Sequence, residues 1–328
     1  MILGVDAFNL AADRRGMGRV VRQTLEHLER MDGVEVIHIV RTPQQGAATP
    51  RELRKLRPDA VWYPWNGMRF APHAPAIVTI HDPFAITYPH PNVVARWREQ
   101  TPIRRAIRKA DRIFTVSHWA QAELQRLFGV PLDRVQTVPP ALDPFWHAVN
   151  AGAQSPYMLF VGGPDARKNA AMLFDAYDSA FENGGPELVV AGTLSAQDEA
   201  RFSAMRARRR RVAPSDDELR ALYSGALAVL VPSIAEGFGL PVVEAMACGA
   251  PVLASDAAAL PETADGAALL LQPLEVSTWT RALKRIAAND ALRADLRQRG
   301  FARVRRIDPA APANALIESV RQLRARAR

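Results

Sequence analysis

The stretch "EGFGLPVVEAMACGAPVLAS", residues 236–255, sets two carboxylates, Glu236 and Glu244, around a glycine-rich turn. The apolar run "ALAVLVPS" before it reads as a strand. A helix is expected from near Leu240, with Pro241 suited to its first position. The first amides of a helix have no partner inside the helix, and together with its dipole they favour an anion. Glycine lets the backbone approach a phosphate with no Cβ in the way. Gly237, Phe238, Gly239 and Leu240 are therefore a candidate diphosphate seat. A carboxylate touching a diphosphate would be repelled by it. Glu236 is thus expected to face neutral sugar hydroxyls, and Glu244, further along the helix, ribose hydroxyls, which donate strong bonds to carboxylates. The same spacing fits an ordinary strand-to-helix turn with two exposed glutamates.

A second cationic turn follows another strand. In "VGGPDARKNAAMLF", residues 161–174, Gly162 and Gly163 permit a tight turn, and Arg167 and Lys168 stand where a helix begins. Cations there oppose the helix dipole. Beside a diphosphate they would offset the charge growing on a leaving group. A solvated basic pair is the plainer reading. Asn169 is expected to orient the turn, and Gly192 and Thr193, after the strand "ELVVA", lie by position near a base. In "DRRGMGRVV", residues 13–21, Gly16 and Gly18 make a short G-x-G. A dinucleotide fingerprint would need glycine where Val21 stands, which disfavours a dehydrogenase. Arg19, just after, suits a phosphate contact or a plain turn. His81 and Asp82 end the strand in "IVTIHDPF". His81 is a site or structural histidine, and Asp82 an acceptor-side base or a loop-orienting carboxylate. Ser117 in "TVSHWA" looks like a helix N-cap. Trp62 and Trp65 in "WYPWNGM" suit either acceptor contact or core packing.

These turns need strands to carry them. Short apolar runs alternate with helical periodicity along most of the 328 residues, the pattern of a doubly wound, mostly parallel α/β sheet. The alternation pauses in the proline-rich "VPPALDPFWHAVNAGAQSP" and then restarts, so two Rossmann-like domains facing across a cleft are expected. Their spans are 1–147 and 148–308, with a last helix, 309–328, able to cross back to the first. Ligands of such sheets sit beyond the carboxyl ends of the strands, where every turn named above falls. The net charge of +8 favours anionic partners. A nucleic-acid binder lacks support, since basic residues are not interleaved with aromatics in a known fold. The lone Cys248 excludes a disulfide framework, and there is no transmembrane-length apolar run. With no basic leader before "MILGVDAFNL", the expectation is a cytoplasmic protein, at most peripheral to the inner face of the membrane. Two features suit such contact: the run "RARRRR", 206–211, and the amphipathic tail with Leu316, Ile317, Val320 and Leu323 against Arg321, Arg324, Arg326 and Arg328. A solvated face or a base pocket along Arg211 to Pro214 is the alternative for the run, and internal packing for the tail.

The 236–255 stretch resembles the E-x7-E signature of the retaining glycosyltransferases of family four, which have the GT-B fold. The likeness includes the glycines, Pro241 and "EAMACGAPVLAS". It extends from "YMLFVGGPDARKN" to about residue 300, and more weakly over the first half. The resemblance implies Glu236 on the transferred sugar, Glu244 on the ribose and Arg167 with Lys168 on the diphosphate. It also implies that the Gly16–Gly18 loop approaches donor phosphate and acceptor, and that His81 packs against the sugar. The implied activity is retaining transfer of a hexose from a nucleoside-diphosphate sugar to a glycan or lipid-linked acceptor, in cell-surface glycan or glycolipid synthesis. A nonhydrolysing nucleotide-sugar epimerase shares the architecture but uses other carboxylates. "GMGR", "IHD" and "ARKN" resemble mannosyl and O-antigen-type members, so GDP-mannose is expected first, with UDP-glucose and related donors open. No two aspartates stand two positions apart as in Asp-x-Asp, so no metal and no cofactor beyond the co-substrate is expected. The resemblance also implies a strand and a glycine-containing turn that help bind the base where the arginine run stands, and this chain is shortened and altered there.

Overall fold

Short, wholly apolar runs become parallel strands because helices cover both faces of such a sheet and leave none for water. A computed structural model describes residues 1–13, 16–42, 46–152 and 155–326 of the protein. The chain divides into two units, one of residues 1–143 with 308–328 and one of residues 144–307. The division falls inside the proline-rich stretch.

The first unit runs β1 (Ile2–Asp6), α1 (Met17–Glu29), β2 (Glu35–Ile39), α2 (Leu53–Leu56), β3 (Ala60–Tyr63) and β4 (Ala76–Ile80). It continues through α3 (Phe84–Thr87), α4 (Val93–Lys109), β5 (Arg112–Thr115), α5 (His118–Phe128) and β6 (Val135–Thr137). The strands form one parallel sheet in the order β2-β1-β3-β4-β5-β6.

The second unit runs β7 (Tyr157–Val161), α6 (Ala170–Phe181), β8 (Glu187–Ala191), α7 (Ala196–Ala204), β9 (Arg209–Val212), α8 (Asp216–Gly225) and β10 (Ala228–Val231). It ends with α9 (Leu240–Ala247), β11 (Val252–Ser255), α10 (Leu260–Ala264), β12 (Leu269–Leu271), α11 (Val276–Ala288) and α12 (Asp290–Val304). Its parallel order is β12-β11-β10-β7-β8-β9. In each sheet the strand order reverses once, between β1 and β3 and between β7 and β10. Such reversals open a crevice at the carboxyl edge. Val229 pairs with Leu159 and Leu230 with Phe160, so the turns leaving β7 and β10 start side by side.

One expectation changes and one alternative is decided. The sequence predicts a helix over 196–208, but α7 ends at Ala204 and Arg209–Arg211 of the arginine run enter β9 instead. This strand pairs only with β8 at the sheet edge, where charged side chains reach water and guard an open ladder. The terminal helix α13 (Ala311–Arg326) returns to the first unit. Its Leu316, Ile317, Val320 and Leu323 are buried in one core with Val21, Leu25 and Leu28. Its apolar stripe is spent on that core, so the membrane alternative for this stripe falls. Arg324 pairs with Asp59 at 3.3 Å, while Arg328 lies outside the described residues.

Candidate functional site

The two turns at the β7/β10 reversal are stitched together. Asp165 accepts the Arg167 N–H at 2.9 Å and closes the turn as a short 3-10 helix over Ala166–Lys168. Asn169 follows with φ 56° and sends its Nδ2 to the carbonyls of Pro232, at 3.1 Å, and Pro273, at 2.7 Å. The Ile234 N–H donates to the Arg167 carbonyl at 2.8 Å. Asn169 therefore orients the turn, as expected, and it does so by bridging to two other loops.

This stitching brings the Lys168 Nζ to 2.7 Å from Glu236 Oε1. The same oxygen accepts the hydroxyl of buried Ser233 at 2.8 Å. Among the described residues Glu236 Oε2 has no partner. Arg167 pairs with Asp165, whose carboxyl burial raises but which the Arg167 side-chain and backbone hydrogen bonds hold below its ordinary value. Gly239 caps α9 with φ 98°, and Pro241 in the first turn has no N–H to offer. Val242 N–H bonds the Gly239 carbonyl at 2.9 Å. Among the described residues the N–H groups of Phe238, Gly239 and Leu240 have no acceptor. Unpaired donors at a helix start, beside a cationic turn, are a place where an anion can be held.

The remaining second-unit residues sit around this centre. Glu244 Oε2 accepts the hydroxyl of buried Tyr223 at 3.2 Å, which ties it to the core. Gly163 has open space where a Cβ would stand. Gly192, at φ 115°, passes so close to the Gly162 carbonyl that a Cβ would lie 2.7 Å from it, and Thr193 beside it is exposed. The arginines of β9 are largely neutralised within the unit, Arg210 by Glu187 and Arg211 by Glu199, each at 2.8 Å. Arg210, Val212, Ala213 and Pro214 line a cavity of about 420 Å³ with Glu218. Burial pushes the Cys248 thiol up to about 12, which excludes a thiolate nucleophile.

In the first unit Gly16 caps α1 with φ 54°, and a Cβ on Gly18 would stand 1.8 Å from the Asp13 carbonyl. Arg14 and Arg15 of this loop lie outside the described residues. Arg19 pairs with Asp143 at 4.0 Å. His81 donates its backbone N–H to Asn66 Oδ1 at 2.6 Å, and its Nε2 lies 2.9 Å from the Pro64 carbonyl. A carbonyl only accepts, so Nε2 carries the proton. Burial pushes the ring's pKa down to about 4, against the pull of Pro64 and Asp13, so the imidazole is neutral near pH 7. Asp82 Oδ1 accepts the Phe84 N–H at 3.1 Å and orients its loop. Ser117 caps α5 through Ala120 N–H. Trp62 and Trp65 are core residues, both buried, with their indoles on Thr79 and the Asp6 carbonyl. Asn9, Asp13, Trp65, Asn66 and Arg69 line a cavity of about 520 Å³ at the β1/β3 reversal.

Asp165 and Ser233 escaped the sequence reading. The signal for Asp165 was present in "PDARKN", an aspartate two residues before a donor N–H. Nothing local marks Ser233, whose role depends on a side chain from another turn.

Residues 145–303 match the family described as Glycosyl transferases group 1, and residues 38–145 match Glycosyltransferase Family 4. The chain belongs to these glycosyltransferases. Its two parallel-sheet units are those of the GT-B fold: sucrose-phosphate synthase from Thermosynechococcus elongatus superposes with a TM-score of 0.75 at 23% identity, over 99% of both chains. O-antigen chain mannosyltransferase B of Escherichia coli is 29% identical over 269 residues, 74% of this chain and 70% of that protein. The MMP alpha-(1->4)-mannosyltransferase of Mycolicibacterium hassiacum is 28% identical over 239 residues, 65% of this chain and 56% of that one. Among the described residues no helix is long and apolar enough to cross a membrane.

Proposed function

We propose that the protein transfers a hexose, with retained anomeric configuration, from a nucleoside-diphosphate sugar to a glycan or lipid-linked hydroxyl. One observation carries the reading: Lys168 meets Glu236 beside three backbone N–H groups that have no acceptor among the described residues. Those donors, with Arg167 and Lys168, would take the diphosphate. The open Oε2 of Glu236 would take hydroxyls of the sugar, and Glu244 the ribose. Mannose, from GDP-mannose, is put first because the relatives above carry mannosyltransferase names. On the first unit, His81 is proposed as a sugar-contacting residue, Gly16 and Gly18 as donor-binding residues in a loop that approaches donor phosphate and acceptor, and Arg19 and Asp82 as acceptor-side residues.

In the proposed step the bond from anomeric carbon to phosphate oxygen breaks, and its electron pair stays with the diphosphate. The acceptor oxygen bonds to the same face of the carbon. Its proton passes to the departing phosphate oxygen. Cations and N–H groups that are fixed before the reaction stabilise the charge as it grows. The step therefore needs neither a protein nucleophile nor a metal ion.

The test is a panel of nucleotide sugars assayed by mass spectrometry, with and without EDTA. GDP-mannose is expected to give slow free mannose alone and a mannosylated product with acceptor, in both buffers. Lys168→Ala and Glu236→Ala should each lower turnover at least about a hundredfold, since each removes roughly 3 kcal/mol of transition-state support. An epimerised sugar nucleotide from donor alone, or near-wild-type variants, would contradict the proposal.

A further inference from the structure

The second unit opens on a segment, residues 145–149, that is laced to one face of α8. Ser215 starts that helix with a closed capping box: its hydroxyl accepts the Glu218 N–H, and the Glu218 carboxylate accepts the Ser215 N–H. Arg220, Tyr223 and Ser224 follow at i, i+3 and i+4, so they share a face. The Arg220 guanidinium lies 4.2 Å over the Phe145 ring and donates to the Phe145 carbonyl at 3.2 Å. The Val149 N–H donates to the Ser224 hydroxyl at 3.1 Å, and that hydroxyl donates to the Arg220 carbonyl at 2.9 Å. Between these two ties, Trp146 packs edge-on against Tyr223, with ring centroids 5.5 Å apart at 78°. Both rings are buried.

A tyrosine side chain has few rotatable bonds before its rigid ring, so packing the ring fixes the hydroxyl. The Tyr223 hydroxyl reaches across to α9 and donates to Glu244 Oε2 at 3.2 Å. Phenylalanine would keep the ring packing and lose this contact. Glu244 is half-buried on a flexible side chain, and ordering such a side chain on binding costs affinity. The Tyr223 donor is neutral. It aims one carboxylate oxygen without cancelling the charge, unlike Lys168 at Glu236, so Glu244 keeps its pull on hydroxyl donors.

We infer that Tyr223 is a positioning residue for nucleotide binding. It holds the Glu244 carboxylate in the orientation that receives ribose hydroxyls, and residues 145–149 hold the Tyr223 ring. The inference rests on the ribose reading of Glu244. It adds that this contact is set from α8 and the opening segment, outside the two glycine-bearing turns.

The test is calorimetric titration of the full chain with GDP, with UDP, and with the dideoxy form of each, which lacks both free ribose hydroxyls. Wild type is expected to prefer the ribose form by at least about tenfold, as one charge-assisted hydrogen bond requires. Glu244→Ala should bind the two forms alike. Tyr223→Phe should keep the wild-type affinity for the dideoxy form and cut the preference to about threefold or less. Trp146→Phe should fall between wild type and Tyr223→Phe. Lys168→Ala should weaken both forms equally and keep the preference, because it acts on the diphosphate. Loosening of the fold weakens both forms together, so the ratio separates positioning from stability. If Glu244→Ala loses the preference, then Tyr223→Phe with the full preference, or with both forms weakened equally, would overturn the inference and leave the ribose reading standing. A wild-type preference in Trp146→Phe would overturn the role of residues 145–149. Wild type with no preference would remove the ribose reading, and this inference with it.

Discussion

Lys168 and Glu236 lie 68 residues apart in the chain and meet at 2.7 Å. The types of both residues were legible in the sequence. Their direct contact was not, because it depends on Asn169 and Ile234 joining two loops. A partly buried pair of this kind is sensitive to the loss of either partner, since the other charge is left uncompensated. Asp6 poses a second question at this scale. Its Oδ1 accepts Phe8 N–H, Oδ2 has no partner, and burial raises its pKa to about 6 despite that bond and the charges of Arg69 and Arg41. A carboxyl raised on folding binds more protons folded than unfolded between about 4 and 6. Its contribution to stability is therefore present below that window and is lost as pH rises through it. Relative to Asp6→Asn, the wild type should lose about 2–3 kcal/mol between pH 3.5 and pH 7, measured by urea unfolding at each pH. A constant difference would show that Asp6 is not the strained carboxylate described.

At the scale of elements, the turns after β7 and β10 use glycine differently. Gly239 has φ 98°, and a Cβ there would stand 2.7 Å from Leu260 Cδ2. Gly239→Ala should cost about 1–3 kcal/mol of stability through backbone strain. Gly163 has open space and no positive φ. Gly163→Ala should change stability by less than about 0.5 kcal/mol, yet lower donor affinity, because its methyl would enter the open space where the proposed donor lies. Urea denaturation beside donor titration separates the two, and a reversed ranking would refute this division of roles. Sequence periodicity locates most elements well: it predicts helices over 93–109 and 118–128, the spans of α4 and α5. It failed at β9, where "RRRV" has no alternation of apolar and polar residues. What makes it a strand is the open edge of β8 waiting beside it, which a local pattern cannot express.

For the molecule as a whole, the repeated alternation of strand and helix was enough to indicate two parallel-sheet units, since that pattern admits few other folds. The fate of α13 was less clear, because an amphipathic helix looks alike whether it covers a core or lies on a bilayer. Burial of Leu316 and Val320 decides for the core. The net charge of +8 is likewise not one feature: in β9, Arg210 and Arg211 are neutralised by Glu187 and Glu199, while Arg41, Arg69, Arg98 and Arg105 line one cavity without a salt bridge among the described residues. The central claim remains that the turn of Arg167 and Lys168 and the start of α9 together grip a diphosphate. Calorimetric titration of GDP and UDP into wild type and Lys168→Ala tests it most directly. At least one nucleotide should bind the wild type and lose about thirtyfold or more in affinity in the variant, as removal of a charge-assisted contact worth about 2 kcal/mol requires. Equal affinity in the two proteins would contradict it.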